Sequence, residues 1–112
     1  MQHEMKLNEK PFNSIKNGSK RIELRLYDEK RQKLKLNDTI RFYKVNNEED
    51  FIDVKIRGLL RYNSFEELFN DVDFNICGPA KGLTEKLENM YKIYSREEEQ
   101  KYGILAISVK LI

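Results

Sequence analysis

Residues 17–31 read NGSKRIELRLYDEKR, and the fold turns on how this stretch is read. An Asn-Gly-Ser turn runs into an unbroken alternation of side chains. Arg21, Glu23, Arg25 and Tyr27 take one face, and Ile22, Leu24 and Leu26 take the other. A period of two over this length predicts a strand across residues 20–27, with Lys20 at its entrance. Side chains two apart on a strand point the same way and lie about 6.6–6.8 Å apart along it. Glu23 is therefore expected to sit ionised between Arg21 and Arg25. On an open surface such pairs contribute only ~0–1 kcal/mol each. At the half-buried mouth of a barrel the same groups form a fixed fork. Arg25 would then offer paired donors to a phosphate or a base edge, and Glu23 would accept from an exocyclic amine. Lys20 has the opposite parity, but the Gly18-Ser19 turn leaves room for its ammonium to swing over the same pocket. Two readings stand side by side here: an ion-pair ladder, or a seat for an anionic, planar ligand.

The elements outside this strand follow from local signals. Residues 4–7 make a short first strand. Asn8 is placed to cap a helix that carries Pro11 in its first turn and Phe12 and Ile15 on one face, with Gly18 as its left-handed stop. Residues 28–35 form a basic loop or short helical turn, and Asn37-Asp38 signals a turn before a strand at 39–45. A polar hairpin loop at 46–50 leads into the longest strand, 51–62, whose alternation slips near Gly58 and predicts a bulge. Ser64 with Glu67 and Ser95 with Glu98 read as capping boxes. Between them Thr84 is expected to cap a helix striped by Leu83, Leu87, Met90, Tyr91 and Tyr94. Residues 104–111 close the chain as a strand with Leu105, Ile107, Val109 and Leu111 on one face. The order β-α-β-β-β-α-α-α-β predicts an α+β fold: a small, mostly antiparallel barrel of about five strands with helices over its ends.

The composition bounds the function. At 112 residues, 39% of them hydrophobic and 36% charged, the chain suits one domain spanning 1–112. No apolar run approaches the ~20 residues of a membrane span, and the start lacks a signal peptide. Cys77 is the lone cysteine, so a reduced, cytoplasmic setting is expected. The formal net charge of +2 is uneven. Residues 1–61 hold 15 Lys/Arg against 10 Asp/Glu, and residues 62–112 hold 6 against 9. Between Lys16 and Lys44 the balance is ten basic to four acidic, a field suited to a polyanion or a phosphate-bearing molecule. One histidine (His3, near a loosely held start) and one cysteine make a Cys/His zinc site or a Ser-His-Asp triad untenable. Neither glycine-rich phosphate loop is present. No metal or cofactor is expected, and Cys77 reads as structural.

The pattern G-x-K-x-x-E-x-R, here Gly18-Ser-Lys20-Arg-Ile-Glu23-Leu-Arg25, resembles the signature of the ASCH (activating signal cointegrator homology) family. The following LRLYDEKRQKLKLNDTIRFYK and the closing YSREEEQKYGILAISVKLI also resemble that family, so the likeness covers nearly the whole chain. The resemblance implies a fold related to the PUA domain, with a cleft at the motif that binds RNA or a nucleotide. Carried over, Gly18, Lys20, Glu23 and Arg25 would line that cleft, with Tyr27 beside them. Some relatives are amidohydrolases of acetylcytidine that use the motif lysine, a threonine and a distal glutamate. Lys20 is present here, but Glu23 stands at the threonine position, and no glutamate precedes Leu83 in Gly78-Pro-Ala-Lys-Gly. Three functions follow. The first is an RNA- or nucleotide-binding module, with Tyr27, Tyr43, Tyr62, Tyr91, Tyr94 and Tyr102 available for stacking. The second is a small hydrolase of a modified nucleoside or RNA, with Lys20 catalytic. The third is a protein-interaction domain presenting the acidic helices at Glu66-Glu67 and residues 97–99. A glutamate flanked by two arginines is a poor base, which weakens the second.

Overall fold

The computed structural model describes all of residues 1–112. Five strands and four helices follow the expected order: β1 (Gln2–Leu7), α1 (Glu9–Lys16), β2 (Ile22–Leu26), β3 (Thr39–Lys44), β4 (Asn47–Tyr62), α2 (Phe65–Asp71), α3 (Leu83–Ile93), α4 (Arg96–Tyr102) and β5 (Ile104–Leu111). Short 3-10 turns occupy Arg31–Lys33 and Phe74–Cys77. The strands form one sheet in the order β1-β3-β4-β5-β2, with β1 parallel to β3 and every other pair antiparallel. The sheet curls into a half-barrel, and β1 and β2 are its two free edges.

Two apolar clusters hold the sheet. One fills the concave side, where Phe12, Ile40, Phe42, Val54, Ile56 and Ile107 are fully buried. The other lies on the opposite face of β2 and β5, where Ile22, Leu24, Leu26, Ile104 and Ala106 pack against Phe65, Leu68 and Phe69 of α2. Both β2 and β5 are therefore covered on two sides. This is why the apolar face of β2 could be read from its alternation while its polar face turned out to be buried as well.

Several local expectations hold. Gly58 marks a register shift in the β4–β5 pairing. Ser95 accepts from the Glu98 amide at 3.0 Å, and the Glu98 side chain accepts from the Ser95 amide, closing a full capping box. Replacing Ser95 with alanine is expected to cost about 1 kcal/mol, read as a small fall in the urea midpoint.

Other expectations are corrected. Asn8 is extended ahead of α1, but its side chain makes no cap hydrogen bond. Ser64 accepts from the Glu67 amide, but the return bond from the Ser64 amide to the Glu67 side chain is absent; the neighbouring Phe65 amide donates to the Glu99 carboxylate at 2.9 Å. Gly82, not Thr84, precedes α3. The loop expected at 46–50 shrinks to a two-residue turn at Val45 and Asn46, with Asn46 at φ 69°, a conformation asparagine tolerates. His3 is not loose: its Nε2 lies 2.8 Å from Asp38, which also receives the amino terminus. Glu99 of the acidic helix is only 5% exposed and holds Tyr91 and Phe65, so it cannot serve as part of a contact surface.

Candidate functional site

The curled sheet does not close, and the polar face of β2 fills the gap. Arg25 reaches from β2 across to β1, where its Nη2 donates to the Lys6 carbonyl at 2.9 Å. The same side chain donates from Nε to Glu23 Oε2 at 2.9 Å. The other oxygen, Oε1, lies 2.8 Å from Lys20 Nζ and accepts from the Leu24 amide at 3.3 Å. The Tyr94 hydroxyl donates to the Leu24 carbonyl at 3.5 Å. These contacts occupy an exposed sheet edge that would otherwise be free to pair with another chain.

Lys20 precedes the strand rather than belonging to it. Gly18 ends α1 with φ +86°, and the Lys20 amide donates back to the Ser14 carbonyl at 3.0 Å. That turn frees Lys20 from strand parity and sends its ammonium to Glu23. Arg21, expected as Glu23's second partner, is exposed instead. Glu23 is 4% exposed and Lys20 9%. Burial by itself would raise the Glu23 carboxyl. The combined attraction of Lys20 and Arg25, and the hydrogen bonds from both, outweighs burial and holds it below the usual carboxylate range.

A second buried lysine, absent from the sequence reading, completes the cluster. Lys86 of α3 is 5% exposed, and its Nζ donates to the Cys77 carbonyl at 2.9 Å. Gly78, at φ +117°, lies between the two lysines. A Cβ there would come within 3.1 Å of Lys86 Nζ and 4.0 Å of Lys20 Nζ. Burial first, and then the Lys20 cation, push the Lys86 ammonium below its ordinary range. The sequence did carry a signal for it: Lys86 falls three after Leu83 and four before Met90, on the stripe of α3 that should be apolar. Burial also pushes the Cys77 thiol up to about 11, against a nucleophilic role.

Lys20, Glu23 and Arg25 line a cavity of about 190 Å³ together with Asn8, Cys77 and Tyr94; Lys86 is not on its wall. Through Lys6 and Arg25 the cavity meets an open groove of about 630 Å³ that also carries Lys30, Tyr43, Glu4 and Glu48, with Lys6 2.9 Å from Glu48. The structure thus brings Lys20, Glu23 and Arg25 together. It keeps two expected residues apart from the cavity. Gly18 shapes the turn behind Lys20 without lining it. Tyr27 lines a different depression, at the far end of β2. Within the cluster, Lys20, Arg25 and Lys86 oppose the single carboxylate Glu23, and Arg25 Nη1 has no partner in the chain.

The sequence model of the ASCH domain matches residues 5–112. The chain belongs to the ASCH domain family. Its half-barrel is the PUA-like fold, often linked to RNA binding. Among solved structures it is similar to the crystal structure of the hypothetical protein PH0355, with 36% identity, all of both chains covered and a TM-score of 0.89. It is also similar to the solution structure of protein PF0455 from Pyrococcus furiosus, with 34% identity, 100% of this chain and 98% of that one covered and a TM-score of 0.81. Among curated proteins none matches the sequence. In this ASCH domain no helix is long and apolar enough to cross a membrane.

Proposed function

We propose that this ASCH domain binds RNA or a nucleotide in the cavity between β1 and β2. The observation that carries this reading is the charge of the buried cluster: Lys20 and Arg25 both contact Glu23, and Lys86 adds a third cation beside them on the Cys77 carbonyl. Unpaired buried charge is costly unless a partner meets it, so the cluster is suited to a ligand bearing an anionic group. Glu23, held ionised, offers an acceptor to an amino group, and Arg25 Nη1 and the remaining Lys20 hydrogens offer donors. At about 190 Å³ the cavity is smaller than the ~300 Å³ floor of typical small-molecule sites. It suits one planar ring, with the phosphate meeting Arg25, which the cavity shares with the open groove; that groove carries Lys6, Lys30 and Tyr43 together with Glu4 and Glu48, and its Lys6 is paired with Glu48.

Lys20 acts here as a charged donor and not as a nucleophile. Its ammonium is engaged by Glu23 at 2.8 Å, and an attacking amine would have to give up that pair. Titration of the protein with cytidine monophosphate and with short RNAs tests this. Lys20→Ala should weaken binding by roughly 1–3 kcal/mol. Lys20→Arg should keep part of the affinity, because charge survives while geometry changes. If several phosphates are contacted, log affinity should fall against log salt with a slope of about −0.7 per phosphate. Salt-independent binding would point to a neutral ligand. Release of acetate from acetylcytidine by the parent protein, lost in Lys20→Arg, would replace this reading with a hydrolytic one.

A further inference from the structure

We propose a second ligand subsite on this domain, a shelf of Tyr27 and Arg61 that stacks one base of a single-stranded RNA. It takes only the ligand class from the function proposed above, and its geometry is separate from the Lys20 cavity. Three of the six tyrosines, Tyr27, Tyr62 and Tyr102, meet in one depression of about 620 Å³ between the end of β4 and α4. That volume lies within the ~300–1,000 Å³ of ordinary small-ligand sites.

The Arg61 guanidinium lies 4.0 Å from the Tyr27 ring centre. Tyr27 packs against the concave core, so the ring beneath is fixed, while Arg61 is exposed and forms no ion pair. A guanidinium lying on a ring presents a second flat face outward, and bases stack on such faces irrespective of sequence. Around the shelf, Asn63 and Gln100 each carry a donor and an acceptor, the groups that read a base edge. Lys101 lies 5.1 Å from the Tyr102 ring and supplies a point charge for a phosphate. Glu67 is the one carboxylate on this lining, against the two cations Arg61 and Lys101, with Asp71 next to it on the Tyr62 hydroxyl. Tyr62 is fixed by its hydroxyl bond to Asp71. Because Tyr27 lies just past the end of β2, two positions after Arg25, one RNA strand could run from the cavity to the shelf along a single edge.

The test uses the full chain with two probes: fluorescein-labelled uridine and adenosine octanucleotides, and cytidine monophosphate. Arg61→Ala is expected to weaken octamer binding roughly tenfold and to leave monophosphate binding unchanged. Arg61→Lys keeps the charge and loses the flat face, so it should lose most of that affinity too. Parent-like octamer affinity in Arg61→Ala overturns the proposal. So does parent-like affinity in Arg61→Lys, which would reduce the contact to charge alone. If Arg61→Ala fails to fold, the Arg61→Lys result decides. Absence of octamer binding by the parent also overturns the shelf. Should the octamer depend on Arg61 while cytidine monophosphate does not bind, the shelf stands and the cavity reading falls.

Discussion

Glu23→Gln is expected to destabilise the protein by about 3–5 kcal/mol, the usual cost of removing one partner from a buried ion pair. Glutamine keeps the shape and can still accept hydrogen bonds. It removes the only negative charge among Lys20, Arg25 and Lys86, all of which remain in or beside the cavity. The melting temperature should fall by more than about 10 °C, given the few degrees per kcal/mol typical of a domain this size. The effect should also depend on pH, with a definite sign. The folded carboxyl sits below its ordinary range, so its contribution is fully present above the unfolded value of about 4.3. It is lost as pH falls through the lower folded value. The stability gap between parent and variant should therefore be constant near neutrality and shrink in acid. A gap that stays the same from neutral pH to well below pH 4 would mean that Glu23 is not held ionised.

Gly103→Ala should cost about 2–4 kcal/mol, the sum of a backbone conformation reserved for glycine and a close approach. Gly103 joins α4 to β5 at φ 72° and ψ −178°. A Cβ built there would lie 3.0 Å from the Tyr62 carbonyl oxygen, a backbone atom that cannot swing aside. Its own carbonyl accepts from the Tyr27 amide at 3.0 Å, so any shift pulls on the end of β2. Urea unfolding measures the loss. A midpoint within error of the parent would show that the α4–β5 joint relaxes freely. Tyr27 lies beneath Arg61, so the same variant should also loosen the shelf.

The element order and the motif were legible for the same reason: both are short-range. Alternation on β2, the phase slip at Gly58 and the Ser95–Glu98 box are set by neighbours within a few positions, where sterics and local hydrogen bonds dominate. The boundaries were less legible. Asn46 tolerates a left-handed backbone, which let a two-residue turn replace the polar loop expected from composition.

The sequence by itself determined that an α+β chain would bring Lys20, Glu23 and Arg25 to one strand entrance, because a turn and a period-two strand are local facts. Which groups they meet was decided only by the tertiary structure. The parallel β1–β3 pairing leaves β1 and β2 as facing edges, and that gap, closed by Arg25 reaching the Lys6 carbonyl, is what buries Glu23. Lys86 joins the cluster from a helix some 60 residues downstream of Glu23, through the Cys77 carbonyl. Arg61 reaches Tyr27 from the end of β4. Such partnerships follow from which apolar faces bury against each other over the whole chain, and a spacing rule within one segment carries no record of them.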